Sequence, residues 1–513
     1  MTRQLVFTDA VAAHAHHFRG KPALIDAGSI LTYGDIGFAM DRIGRALGRL
    51  GVGSGDMVVV ALAPSAAQAA CIVGLMAAGA VACPLNIRLA PREVDQFLEP
   101  LGARLAIASE AHAEQLAGAG IDVVTVPSGA DLDTIAGALE RAPSRGRPAP
   151  RRPISEADPA LVVGTGGTTG IPKAATYTQR GLWLWAAICG HIQEMRQDDV
   201  ELYLSPFFHS TIVTNLLTML FIGATVRVLP GYEEDAIVGA INDGAITRMY
   251  AAPTVLMRVL EAPGLRPGPQ TRLRVIAFGS MKSQADMPGL IRAAFPGIRL
   301  LTGYGTTEFG PVTRLKGDEI GGDPSCVGRP IAGARVEIRS GAGEPVPNGE
   351  EGEIVVWCPW QMAGYWGRPD LSQEVMFEGG IRPGDIGRFS PEGRVHLVGR
   401  SKDAIITGGE NVWPAEVENA LVQHPRVRDA IVYGVADRIW GERIEAAVVV
   451  GQGPELTLAE LRAFGRELVA SYKLPRSLRV VDQIPLTHLS KPDRAALKLA
   501  AERDPLPDMA HDA

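Results

Sequence analysis

Strand-like and helix-like runs alternate along most of this chain, and that alternation restricts it to layered α/β architecture. Met57–Ala63, Thr225–Leu229, Arg274–Phe278 and Arg299–Thr302 are short, mostly apolar and bounded by turn residues, as buried strands are. At 513 residues the chain exceeds what one core organises, since hydrophobic cores stop growing near ~250–300 residues. Near Arg400 the pattern changes. Pro414 sits at a helix start whose apolar face is Val417, Ala420 and Leu421. Ala430–Val435 and Ala446–Val450 read as short strands, and Thr457 with Glu460 reads as a capping box opening a helix through Val469. The expected organisation is a large layered α/β domain over residues 1–401 and a small α+β domain over 402–513. Arg141–Pro153, arginine- and proline-rich without periodicity, reads as an exposed connector.

Several function classes fall away. The net charge of −7 argues against a surface for nucleic acid or other polyanions. Cys71, Cys83, Cys189, Cys326 and Cys358 lie far apart with no C-x-x-C pair. That is neither a disulfide framework nor a zinc site, and it fits a reducing cytoplasm. The first residues lack an apolar signal-peptide core, and His14, His16 and His17 have no H-E-x-x-H or cysteine partner for a metal. Ala66–Cys83 approaches the ~20 apolar residues of a membrane span. It is rich in Ala and Gly, however, and follows a strand-like run across Pro64 and Ser65. A buried strand–helix–strand unit is expected there.

The chemistry concentrates in a few segments. Over Leu161–Ala175 (LVVGTGGTTGIPKAA) an apolar strand runs into Thr165, Gly166, Gly167, Thr168, Thr169 and Gly170, then Pro172 and Lys173. Glycines let backbone N–H groups approach an anion, hydroxyls add donors, and the lysine adds charge. A plain glycine-rich turn is the alternative. It is not a Walker A loop, in which lysine directly follows the last glycine. Gly51, Gly53 and Gly55 precede their strand and fail the dinucleotide fingerprint, and no G-x-S-x-G elbow occurs. Tyr304-Gly305-Thr306-Thr307-Glu308 follows the strand Arg299–Thr302, where an aromatic, two hydroxyls and a carboxylate suit a nucleotide with magnesium. Pro383-Gly384-Asp385, Gly399 to Asp403, Gly408 to Asn411 and Ser490-Lys491 come later.

Taken in order, these segments resemble the adenylate-forming acyl-CoA synthetases over nearly the whole chain. TGGTTGIPK resembles the family's phosphate-binding signature, SPFFHS its histidine motif, YGTTE its adenine and magnesium motif, and PGDIGRF its ribose-binding segment. GRSKDAIITGGENVWPAEVE resembles its hinge and thioester-forming loop. The resemblance implies an ATP-dependent carboxylate–CoA ligase working through an acyl-AMP, with the 402–513 domain mobile. It places the triphosphate on Thr165 to Gly170 and Lys173, Mg²⁺ on Glu308, and the ribose hydroxyls on Asp385. Arg400 would contact the nucleotide. Tyr304 would pack on adenine, with Gly279, Ser280 and Met281 at its edge and Gly303, Gly305, Thr306 and Thr307 alongside. Lys491 would bridge carboxylate and α-phosphate, Lys402 would be the hinge, and Gly408, Gly409 and Trp440 would line the CoA channel. A core or surface tryptophan is the alternative for Trp440, as a core histidine is for His209.

The same resemblance lines the acid pocket with Trp183 or Trp185, His209, Ser210, Thr211, Tyr250, Gly279, Thr302, Phe309 and Pro311. Bulky aromatics limit its depth and few cations appear, so an aromatic, cyclic or short-to-medium-chain monocarboxylate is expected. The expected partners are that acid, ATP and coenzyme A; a homodimer is left open. Two departures from the family pattern bear on loop conformation. Ala174 stands where glycine usually follows the Pro-Lys pair, and Leu489-Ser490 replaces the usual Ser-Gly before the lysine. Three other functions remain: an acyl-AMP ligase loading a carrier protein, a luciferase-like oxygenase sharing the same motifs, and a non-enzymatic nucleotide-binding protein with no need of Lys491.

Overall fold

The run that imitates a membrane span is a buried helix between two parallel strands. Met57–Ala61 leads to Ser65, whose side chain accepts from the Gln68 N–H and caps the helix Ala66–Ala77; the strand Val81–Pro84 then pairs in parallel with Met57–Ala61. This is the computed structural model, which describes residues 4–89, 91–144, 152–165, 173–267, 271–279, 286–321, 323–400, 403–407, 410–437, 440–451, 453–487 and 491–506. The helix is buried from Ala66 to Met76. Its small residues serve close packing: a Cβ added at Gly74 would lie 2.7 Å from Ile43 Cδ1, on the helix Tyr33–Leu50. Burying side chains such as Ile72, Leu75 and Met76 contributes about 1.5–3 kcal/mol each. Among the described residues, no helix is long and apolar enough to cross a membrane.

The described chain packs into two compact units. The first comprises residues 1–322, 328–335 and 356–381; the second comprises 323–327, 336–355 and 382–513. The second unit therefore begins ahead of Lys402, because the antiparallel strands Asp385–Phe389 and Val395–Arg400 pack with it, the former pairing with Gly352 and Glu353.

Two large sheets organise the first unit. One runs in the order Gly364–Tyr365, Lys173–Thr178, Pro159–Thr165, Val81–Pro84, Met57–Ala61, Leu105–Ser109, Asp122–Val126. Its last five strands are parallel and its first two contacts antiparallel. The other sheet sets Pro22–Ile25, Thr225–Val228, Val200–Tyr203, Arg248–Ala251, Val275–Phe278 and Arg299–Thr302 side by side in parallel, with antiparallel strands at its ends. The four strands expected in this unit occur within a residue or two of their bounds, whereas those expected at Ala430–Val435 and Ala446–Val450 are longer, Val427–Asp437 and Gly441–Val450. The architecture is the expected mixture: layered α/β in the first unit, and in the second an α+β fold.

The α+β fold places the long hairpin Val427–Asp437 and Gly441–Val450 beside Ser477–Val480, with Val417, Leu421, Val432, Ile444 and Val448 in its core. The helix at Thr457 differs from expectation and ends at Gly465, not Val469. Leu474 packs on Gly465, where a Cβ would meet its Cδ2 at 2.5 Å, and Arg462 donates to the Leu474 and Pro475 carbonyls. Thr457 does accept from the Glu460 N–H, but the Glu460 carboxylate pairs with Arg426.

Candidate active site

A described strand lies on either side of the glycine-rich segment. Pro159–Thr165 and Lys173–Thr178 pair antiparallel, with Thr165 opposite Lys173, so the two outer residues of the segment face each other. Gly166, Gly167, Thr168, Thr169 and Gly170 lie outside the described residues. Ala174 is buried in ordinary strand conformation and packs into the apolar core, so its methyl is accommodated where glycine was expected.

Gly364–Tyr365 pairs with the outer strand of this hairpin, Tyr365 lying opposite Ala175. The Lys173 Nζ stands 5.0 Å from the centre of the Tyr365 ring, within cation–π range. On the other side, the Tyr365 hydroxyl donates to Glu308 Oε1 at 2.7 Å. The Tyr177 hydroxyl donates to the Thr307 carbonyl at 2.5 Å, and the Met362 N–H donates to that of Glu308 at 2.7 Å. Burial pushes both phenols above their ordinary pKa, and the Glu308 charge adds to the rise. Tyr365 therefore stays a neutral donor. Lys173 and Glu308 flank one ring, and neither forms an ion pair with any described residue. A half-buried carboxylate without a cation is a hard oxygen donor suited to magnesium, which takes one or two carboxylates together with substrate phosphates.

Next to it, Tyr304 and Phe309 are buried and lie edge to face at 5.9 Å. Gly305–Thr306 pairs with Gly310–Pro311. Gly310 has φ 63°, and a Cβ there would stand 2.4 Å from Trp185 Cζ2. Trp185 is fully buried and meets Tyr177 edge to face, whereas Trp183, two residues away on the same helix, packs on Phe221. The two tryptophans thus serve different sides, and only Trp185 reaches the Gly310 strand. Gly279 follows the strand Val275–Phe278, where a Cβ would lie 3.1 Å from the Tyr250 hydroxyl. Thr302 ends its strand half-buried. His209 and Ser210 are half-buried, and the His209 Nδ1 lies 3.2 Å from the hydroxyl of buried Thr211, which also meets the Tyr203 hydroxyl at 3.3 Å. Ser280 and Met281 lie outside the described residues.

The second unit holds the remaining candidates. Asp385 is buried opposite Arg400, whose Nε donates to its Oδ1 at 2.8 Å. Lys491 is exposed: its carbonyl accepts from the Thr487 N–H at 2.7 Å, and its N–H donates to the Thr487 hydroxyl. Asp493 then caps the helix Arg494–Arg503. The Arg476 guanidinium lies 3.8 Å from the centre of the Trp440 ring. Lys402, Gly408, Gly409, Leu489 and Ser490 lie outside the described residues. Tyr177, Tyr365 and Arg476 were not singled out in the sequence; for Tyr365 the available signal was an aromatic pair, Tyr365-Trp366, set between Gly364 and Gly367.

A model of the family described as AMP-binding enzyme matches residues 11–366, and one of its C-terminal domain matches residues 416–491. The chain belongs to the AMP-binding enzyme family. Within that adenylate-forming superfamily it is an acid–thiol ligase of the acyl-CoA synthetase type, a group that uses ATP and coenzyme A on small carboxylic acids. It is similar to the feruloyl-CoA synthase of an Amycolatopsis species, 33% identical over 472 residues, covering 91% of this chain and 94% of the other. A fatty acid–[acyl-carrier-protein] ligase of Streptomyces coeruleorubidus is 30% identical over 485 residues, 92% of each chain. The amide bond synthetase McbA from Marinactinospora thermotolerans has a similar solved structure, with TM-score 0.85 and 26% identity over 96% of this chain and 99% of that one.

Proposed function

We propose that this enzyme joins an aromatic, cyclic or short-to-medium-chain monocarboxylic acid to ATP, releasing pyrophosphate, and then transfers the acyl group from AMP to coenzyme A. The observation that carries this reading is the pair of uncommitted charges on either side of Tyr365. Lys173 offers a cation next to the glycine-rich segment, and Glu308 offers a carboxylate for a metal. The carboxylate oxygen of the acid attacks the α-phosphorus, the bond to the pyrophosphate breaks, and no proton need move. Two anions must meet, so the reaction needs a cation placed between them. Lys491 is that cation in this reading, with Lys173 and residues Thr165 to Gly170 on the phosphates. Glu308 would hold magnesium, which would offset charge on the departing pyrophosphate. Tyr365 orients Glu308. Asp385 takes the ribose hydroxyls, and the Arg400 beside it holds its carboxylate in place and contacts the nucleotide. Tyr304 packs on the adenine.

In the second step the thiol attacks the acyl carbon and AMP leaves. Lys491 has no part in that step. We therefore propose that residues 402–513 turn about Lys402 and bring Gly408, Gly409 and Trp440 to the pantetheine arm. His209, Ser210, Thr211, Tyr250, Gly279, Thr302, Phe309 and Pro311 line the acid pocket with Trp185. The similarity to a carrier-protein ligase keeps a protein-bound pantetheine as the second reading of the thiol. Incubation with ATP, magnesium, a panel of acids and either CoA or a phosphopantetheinylated carrier protein tests all of this. AMP and pyrophosphate should form with benzoate-like and C4–C10 acids ahead of palmitate and malonate in kcat/KM. Preference for palmitate or malonate would overturn the acid assignment, and acid-independent turnover would overturn the ligase reading.

A further inference from the structure

Asn215 is a buried amide whose side chain bonds no described residue. It lies in the π-helical run Ile212–Leu217, is 1% exposed, and has no hydrogen-bond partner for either Oδ1 or Nδ2 among the described residues. Buried polar side chains are nearly always paired, and leaving one unpaired is costly. Its neighbours along the helix are already engaged. The Thr211 hydroxyl meets His209 and Tyr203, and the Thr218 hydroxyl donates to the Val213 carbonyl at 2.7 Å. Thr211 and Asn215 are four residues apart and so share a helix face. The free amide is therefore one turn from the threonine that touches the His209 ring. The run packs against the helix Gln179–Ile192, which carries Trp185, and against the strand Val200–Tyr203. A π-helical turn is itself a departure from regular geometry that recurs at functional sites.

Resting on the reading that His209, Thr211 and Trp185 line the acid pocket, we infer that Asn215 is a specificity-determining residue that binds a hydroxyl group on the acid, remote from its carboxylate. An amide presents an acceptor and donors together, and a hydroxyl answers both. An unsubstituted ring or alkyl tail leaves the amide unpaired. A second carboxylate would gain no cation from a neutral amide and would be buried as an uncompensated charge. One such contact is expected to favour the hydroxylated acid by roughly ten- to a hundredfold.

The test uses matched acids on the full-length enzyme: benzoate with 4-hydroxybenzoate, cinnamate with 4-hydroxycinnamate, and octanoate with 8-hydroxyoctanoate. Pyrophosphate release gives kcat/KM for wild type, Asn215→Leu and Asn215→Ala, and melting temperatures are taken without acid. Wild type should prefer the hydroxylated member of at least one pair by about tenfold or more. Both variants should bring that ratio to within about threefold of one. Ligand-free Asn215→Leu should melt at or above the wild-type temperature, because replacing an unpaired buried amide by an apolar group of similar shape is neutral or stabilising. The proposal is overturned by a wild type that ignores the hydroxyl in every pair or by variants that keep the preference. It is equally overturned by an Asn215→Leu protein that melts several degrees lower or does not fold, which would make the amide structural. Turnover of the unsubstituted acids leaves the ligase reading standing even then; no pyrophosphate from any acid removes both.

Discussion

Replacing Tyr365 by Phe deletes one hydroxyl and keeps the ring. The cation–π contact with Lys173 survives, and Glu308 loses the 2.7 Å donor to its Oε1. A hydrogen bond to a charged group is worth about 1.5–3 kcal/mol. Glu308 is half-buried, so water replaces part of the loss and the lower end applies. The expected cost is about 1.5 kcal/mol, or roughly tenfold, since 1.4 kcal/mol is a factor of ten. If Glu308 holds the metal of MgATP, that loss falls on kcat/KM for ATP measured by pyrophosphate release at saturating acid, with kcat/KM for CoA changed much less. Burial, then the Glu308 charge and this bond, give the phenol a pH signature. The Tyr365 phenol titrates above the ordinary value of about 10 in the folded protein. Its contribution to stability is therefore complete below pH ~10 and is lost as the pH rises past that value. The wild-type melting temperature should fall more steeply above pH 10 than that of Tyr365→Phe. An unchanged kcat/KM for ATP, with melting curves that superpose across this range, would refute the argument.

Lys491→Ala should lower adenylation by about a hundredfold or more while sparing thioester formation from supplied acyl-AMP, and Lys402→Pro should do the reverse by hindering rotation; equal losses in both half-reactions would remove these roles. Gly310→Ala places a methyl against Trp185 at a backbone angle that favours glycine. It should cost about 2–4 kcal/mol, read as a drop of several degrees in melting temperature. Burial pushes the Cys71 and Cys83 thiols up to about 12, so neither should be alkylated by iodoacetamide at pH 8 in the native enzyme, and both should be alkylated in denaturant, as mass spectrometry would read.

What could be read in the sequence was what local pattern encodes. Arg299–Thr302 is an apolar run stopped by Gly303, and it is a strand over those residues. Met57–Ala61 and the helix after Ser65 were legible because Ala- and Gly-rich composition separates a close-packed helix from a lipid-facing one. Tyr365 was not legible, because it owes its place to a two-residue strand that pairs with a hairpin far back in the chain. No periodicity announces such a pairing. Nothing in the sequence around Thr214 and Asn215 singles the amide out, and its lack of partners among the described residues is a property of packing. Glu460 shows the same limit at a helix end: its spacing promised a reciprocal cap, and Arg426 claimed the carboxylate.

The central claim is that activation passes through an acyl-AMP, and isotope transfer tests it most directly. The acid is labelled with ¹⁸O in both carboxylate oxygens and turned over with unlabelled ATP, magnesium and CoA. Attack on the α-phosphorus leaves one acid oxygen as the bridge of the acyl-AMP, and thiol attack at the acyl carbon releases that oxygen with AMP. The account predicts one ¹⁸O in each AMP formed and none in pyrophosphate. Unlabelled AMP, or label appearing in inorganic phosphate alongside ADP, would contradict it.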